Sequence, residues 1–545
     1  MRAAALAAVL FSFCTPTLAR NEGFVECTRT IHTFHGQSVG AQFGWVSAPI
    51  PDLDDDGVQE VGVAAIGQGI GGRIYVYSGA TGVELFKASG PQNGSSLGTS
   101  LRAAGDVNGD GVCDVIAGAP GGNQGRAIVY SGADGSEIHT IIKSGSGTGF
   151  GQSVCGIGDV DGDGFDDVAV AAHQNGQTGP AAGKVWIVSG ADGDTVLWTI
   201  NGEAAGDNFG TALGNAGDVT GDGKDDLIVG AANAGPGSRG KAYVYDVANE
   251  SLWWSVTPDN SGFNFGQFFV DAVGHVNADD VPDIYVSDFS DNQNGGSAGK
   301  AYVYDGSTGA LIWKLAGDSA GDGFGIGRGA GDVDGDGFDD LILCGWTDSS
   351  GASTAGKASI VSGKDKSILR EITSTSIGEN FGFDAHGMGD VDGDGRLDYF
   401  VTATNNSEVG GGAGKCYLLA GGAPLFETGA GIAGTGGVAP TLGVGGCPVP
   451  DDLITIDIGG GAAGAVGLLL TGLQPAELPF LGGTLHLVPT KGIEHALDGS
   501  GNISFPVTVP GPALVGVEVH LQAIYVDSGA PFEVSATNGL RVIVG

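Results

Sequence analysis

Between Asp332 and Asp340 the chain reads DVDGDGFDD, five carboxylates in nine positions, and then turns into the apolar run LIL. Carboxylates at the first, third and fifth positions of a tight turn aim into one concavity. Gly337 at the sixth supplies the bend, Phe338 at the seventh offers a backbone carbonyl, and Asp340 at the ninth closes the shell. Hard oxygen donors in a flexible cage of six to eight suit Ca²⁺ better than Mg²⁺, which demands a tight octahedron and keeps its waters. The same set recurs as Asp52/Asp54/Asp56/Val58/Glu60, Asp106/Asn108/Asp110/Val112/Asp114 and Asp159/Asp161/Asp163/Phe165/Asp167. It recurs again as Asp218/Thr220/Asp222/Lys224/Asp226, Asp332/Asp334/Asp336/Phe338/Asp340 and Asp390/Asp392/Asp394/Arg396/Asp398, Asn108 and Thr220 being neutral oxygen donors. Asp-Gly clusters also make good turns without any metal, but turn-making alone does not require acids at positions one, three, five and nine. The seventh copy, HVNADDVPD (275–283), puts His275 first, Asp280 where the others have glycine, and Pro282 before Asp283. About six Ca²⁺ sites are therefore expected, with loop 275–283 weak or empty.

Such loops must be held by regular elements, and the repeat shows which. The loops start at Asp52, Asp106, Asp159, Asp218, His275, Asp332 and Asp390. Each follows a Phe-Gly pair (Leu-Gly at 97) and precedes an apolar strand such as VIAGAP (115–120). A second strand comes next, RIYVY, RAIVY, KVWIV, KAYVY twice, KASIV or KCYLL, and most units add another after a turn. Four short strands per unit of 50–60 residues, with no credible long helix, predict an all-β fold: a seven-bladed β-propeller of four-stranded antiparallel blades. TIHTFHGQ (30–37) sits where an outer strand should precede Phe43-Gly44, and is expected to pair with KCYLL (415–419) and close the ring.

The Phe-Gly pair, the DxDxDGxxD loop and Gly118-Ala119-Pro120 together resemble FG-GAP repeats, the units of the integrin α-subunit propeller that also occur in many exported bacterial proteins. The resemblance covers residues 30–422. It implies a calcium-binding adhesion or recognition module, secreted or on the cell surface, whose unknown ligand is a protein or a glycan. A non-catalytic structural envelope component, or an accessory module of a hydrolase or lyase system, remains open beside it.

The remaining composition is consistent with that reading. A formal charge of −40 argues against a nucleic-acid partner, since such binding rests on Lys and Arg neutralising phosphates. Residues 1–19 read as a signal peptide: Arg2, an apolar stretch from Ala3 to Phe13, and Thr17-Leu18-Ala19 as a cleavage site. Eleven apolar residues are too few to span a bilayer. Removing the leader leaves Cys27, Cys113, Cys155, Cys344, Cys416 and Cys447, which permit three disulfides in fifteen pairings or stay free. The nine histidines form no spaced metal motif, and no nucleophile elbow has its strand-to-helix context, so no catalysis is expected. After the propeller (20–422), residues 423–450 read as a Gly/Pro-rich linker. Residues 451–545 read as a small β-sandwich resembling modules that end exported planctomycete-type proteins.

Overall fold

The computed structural model describes residues 23–26, 28–122, 124–143, 149–259, 262–421, 425–428, 432–433, 439–445, 453–480, 483–508, 518–528 and 534–543. Residues 1–19, read above as a signal peptide, lie outside the described residues, as do Cys27 and Cys447. Two compact units emerge, Ile31–Gly421 and a second that includes Gly422–Gly545.

The first unit holds seven four-stranded antiparallel sheets and no helix among the described residues. Blade one is Phe43–Ile50, Glu60–Ala65, Arg73–Tyr77 and Glu84–Ser89, in that order from the centre outward. Blades two to six repeat this from Leu101, Phe150, Phe209, Val270 and Phe324. Blade seven takes three strands from Phe381–Gly389, Asp398–Ala403 and Lys415–Leu419. Its fourth is Thr30–His35, paired to Lys415–Leu419 as the sequence predicts. The innermost strands of successive blades touch all the way round, blade seven's meeting blade one's.

The second strand of each blade is buried along its whole length, for example Asp114–Ala119 and Asp340–Gly345, because both its faces are covered by neighbouring blades. The Val, Ile and Ala runs of blades three and four share one core, as do those of one and two. The Phe-Gly pair acts at these seams. Its glycine needs a left-handed backbone, φ 88° at Gly44 and 82° at Gly151. Its phenylalanine lies edge-on to an aromatic of the third strand, as Phe209 does to Tyr243 at 5.3 Å. A second glycine, before each third strand, lets the blades meet: a Cβ on Gly183 would stand 2.1 Å from the carbonyl of Phe209. At the closing seam Gly414 meets Phe43 at the same 2.1 Å.

Along the axis the innermost strands bring buried charges together. The Arg328 guanidinium donates to Asp384 Oδ2 at 3.2 Å and to the Ser47 carbonyl at 3.0 Å, and its Nε lies 3.4 Å from Asp271. Asp384 also accepts the Ser47 N–H at 2.8 Å.

In the second unit, Leu442, Ile456, Ile458 and Val507 from a three-stranded sheet pack against Leu469, Leu521, Ala523, Tyr525, Leu540 and Val542 from a larger one. Two sheets over one core make a sandwich. The expected linker needs correction: Leu425–Thr428 pairs with Gly539–Ile543, and Thr441–Gly445 pairs with Leu453–Gly459. Both strands fall within 423–450, where glycine content masked them. Of the two alternatives left open for the cysteines, Cys113, Cys155, Cys344 and Cys416 take the second: they are free thiols in separate blades. Burial pushes the Cys113 thiol up to about 11 and that of Cys155 to about 12.

Candidate metal centres in the acidic loops

Each acidic loop joins the innermost strand to the second, and its shape is written by its own carboxylates. In six loops the first-position Oδ2 accepts the N–H of the sixth-position glycine: Gly57, Gly111, Gly164, Gly223, Gly337 and Gly395, at 2.8–2.9 Å. The fifth-position acid accepts the seventh residue's N–H. Asp56 takes it from Val58 and Asp110 from Val112, both at 2.9 Å. Asp163 takes it from Phe165, Asp222 from Lys224 and Asp394 from Arg396 at 3.0 Å, and Asp336 from Phe338 at 3.1 Å. All six glycines are left-handed, Gly337 at φ 88°. These bonds fix the first and fifth side chains within the loop, and each of the oxygens they use can still offer a second lone pair.

The ninth position is a different kind of residue. Glu60, Asp114, Asp167, Asp226, Asp283, Asp340 and Asp398 are all fully buried. One oxygen accepts the second-position N–H, as Asp340 does from Val333 at 2.8 Å. The other accepts the N–H of a glycine in the turn after the third strand: Gly363 for Asp340 at 3.0 Å and Gly132 for Asp114 at 3.0 Å. A Cβ on either glycine would stand 1.9 Å from the eighth residue's carbonyl, so only glycine fits. Blade four departs. Val247 replaces that glycine, and Asp226 Oδ1 is buried without a hydrogen-bond partner. Burial pushes these carboxyls up, with same-loop acids adding to it: Asp167 to about 6 and Asp398 to about 7.

Four groups of three carboxylates converge, with ligand atoms within 4.8 Å of one another: Asp52/Asp54/Glu60, Asp159/Asp161/Asp167, Asp332/Asp334/Asp336 and Asp390/Asp392/Asp398. Four of the six loops thus bring three carboxylates together, and the members of the expected sets take part unequally. Asp56, Asp163 and Asp394 at the fifth position and Asp340 at the ninth share loops with these triads but stand outside them. The second and fourth loops bring no triad together, so Asp106, Asp110 and Asp114, and likewise Asp218, Asp222 and Asp226, do not converge. Asn108 and Thr220 replace an acid at the third position there. The seventh residues, Val58, Val112, Phe165, Lys224, Phe338 and Arg396, belong to no carboxylate group, because none has an acidic side chain. Each has only its backbone carbonyl to give, and what fixes it in the loop is its N–H on the fifth-position acid. Loop 275–283 contributes no triad either, and Asp280 does not take the left-handed backbone of the six glycines. Like charges this close disfavour the ionised form unless a cation offsets them. The donor chemistry, all oxygen with a buried carboxylate at the base, fits a hard divalent ion.

Residues outside the expected set turn out to couple the loops. Asp166 Oδ2 accepts the Asp106 N–H at 2.7 Å, and Asp339 accepts that of His275 at 2.7 Å, each reaching the adjacent blade. Lys224 donates to the Asp159 carbonyl. The doubled Asp at positions eight and nine is the sequence signal for this: one acid turns inward, the other sideways.

The FG-GAP repeat profile matches residues 97–130, 150–188 and 209–245. Blades two, three and four match the FG-GAP repeat. The chain is 36% identical over 177 residues to integrin alpha-4 of Xenopus laevis, covering 29% of this chain and 17% of that protein. It is 33% identical over 211 residues to integrin alpha-5 of Xenopus laevis, covering 35% and 20%. The match therefore spans a fifth or less of those relatives' length. A solved structure described as a Dos1 propeller aligns over 72% of this chain and 95% of its own, at 10% identity and a TM-score of 0.41. The FG-GAP blades are thus integrin-α-like in sequence. Among the described residues no helix is long and apolar enough to cross a membrane.

Proposed function

We propose that this chain is a secreted or cell-surface calcium-binding propeller that recognises a protein or glycan ligand, without catalysis of its own. The observation that carries the reading is the recurrence of converging carboxylate triads at one loop position of integrin-α-like repeats. Asp52, Asp54 and Glu60 would hold one ion, Asp159/Asp161/Asp167 and Asp390/Asp392/Asp398 one each in blades three and seven, and Asp332/Asp334/Asp336 one in blade six. Asp106/Asn108/Asp110/Asp114 and Asp218/Thr220/Asp222/Asp226 would hold two more, with a neutral oxygen in each shell. The seventh-position carbonyls, from Val58 to Arg396, would complete the shells. Bound Ca²⁺ supplies positive charge that offsets the loop's repulsion. The loops, tied sideways by Asp166, Asp339 and Lys224, would then set neighbouring blades firmly enough to present a rigid recognition surface. The test is a glycan array and a surface pull-down with the mature protein, with and without chelator. Calcium-dependent capture of a defined ligand supports the module. Capture of nothing in either condition contradicts a recognition role.

A further inference from the structure

At the end of the channel opposite the acidic loops, the starts of the innermost strands and the ends of the second strands enclose a cavity of ≈ 240 Å³. One wall is aromatic: Trp45, Phe269, Phe289, Trp346 and Phe383, with Trp45 and Phe383 ring centres 5.2 Å apart and Trp346 edge-on to Phe383 at 5.4 Å. The facing wall is polar: Ser100, Arg102, Gln152, Ser153 and Thr211. In a chain with 63 acidic and 23 basic residues, this cavity is lined by two arginines and no carboxylate.

The two arginines differ. Arg328 is engaged at all three of its nitrogens, as described above. Arg102 donates Nη1 to the Leu101 carbonyl at 3.1 Å and holds Nη2 4.0 Å from Asp271, while its buried Nε has no partner. Beside it, Ser100 accepts the Val154 N–H at 3.2 Å and Ser153 that of Leu213 at 2.9 Å, which leaves their own hydroxyl hydrogens available. The donors outnumber the acceptors on this wall. At the lip stands Phe268, 44% exposed and at φ 67°, a left-handed backbone that aromatic residues rarely adopt. Strain of that kind collects at ligand clamps.

We propose that this axial cavity binds a small aromatic carboxylate, its ring between Phe383 and Phe269 and its carboxylate on Arg102 with the Ser100 and Ser153 hydroxyls. A cavity of about 150 Å³ holds a benzene ring, so the extra volume suits a ring with a short acidic arm. The proposal goes beyond the calcium reading and does not depend on it. Phenylacetate, phenethylammonium and acetate serve as probes of the full chain in calcium, read by tryptophan fluorescence and calorimetry. Phenylacetate should bind with Kd below about 1 mM, at least tenfold tighter than the other two. Arg102→Gln should weaken phenylacetate at least tenfold. Should that variant not fold, Phe268→Gly relieves the strained backbone, keeps the axial charges, and should weaken binding severalfold without lowering the melting temperature. Equal or tighter binding of phenethylammonium, or no binding of phenylacetate, overturns the proposal. So does an affinity unchanged in every variant that folds.

Discussion

The ninth-position carboxylates show how one residue type carries different costs in different blades. Asp340 spends both oxygens on backbone N–H groups, from Val333 and Gly363. Asp340→Asn would turn an amide N–H₂ against one of those donors, and should cost about 2 kcal/mol in chelator. Asp226 has an oxygen with no partner, so Asp226→Asn should cost less than about 1 kcal/mol by the same denaturant titration. Equal losses in the two variants would contradict the role given to the turn glycine. His386 offers a second test. It is fully buried on Phe400, with Arg328, Arg102 and Asp384 around it, and burial followed by the Arg328 charge pushes its imidazole down to about 4. Between that value and about 6.5 only the unfolded chain takes the proton, so stability is lost as pH falls through this window. His386→Phe should flatten the pH dependence there by about one proton, measured as the difference between wild-type and variant unfolding curves from pH 4 to 7. An unchanged slope would show that His386 is not the group responsible.

At the scale of elements, ring closure rests on one strand. Thr30–His35 completes blade seven, the Gly36 N–H bonds the Gly414 carbonyl at 2.9 Å, and Gly414 abuts Phe43. Deleting residues 20–38 should expose Lys415–Leu419 as an open edge and drive association. Light scattering should show a monomer lost and a lower melting temperature; a stable monomer would contradict closure by this strand. The blades and this closure were legible in the sequence because repetition supplies phase: seven loops at nearly constant spacing locate every strand around them. Leu425–Thr428 was not legible because its partner, Gly539–Ile543, lies far along the chain, and Thr441–Gly445 because glycines interrupt its apolar residues. The loop acids were legible from spacing, whereas the glycines that lock the ninth carboxylate were not. Gly132 and Gly363 sit 18 and 23 residues beyond their partners, Asp114 and Asp340. Nor did spacing separate the loops in which three acids converge from those of Asp110 and Asp222, whose third position is a neutral oxygen donor. The axial pocket was equally hidden, being assembled from the blades' innermost and second strands, each of which contributes one or two residues.

For the whole molecule, the proposed calcium sites would turn local charge into global stability. A chain of net charge −40 repels itself, and cations held in the blades would relieve that repulsion where it is most concentrated. At affinities of roughly 10⁻⁴ M, about 1 mM Ca²⁺ stabilises by on the order of 1.4 kcal/mol per site, so several occupied sites should raise the melting temperature by many degrees over a chelated sample. The fifth loop should add little, since His275 and the non-glycine Asp280 give it neither the first carboxylate nor the left-handed turn. The direct measurement is calcium stoichiometry: the full chain dialysed against millimolar Ca²⁺, with bound metal counted by atomic emission and the melting curve recorded on the same sample before and after chelation. The account predicts about six ions per chain, counted from the loops that keep the first-position acid and sixth-position glycine, and a melting temperature that falls on their removal. No bound calcium, or a melting curve indifferent to chelator, would contradict it.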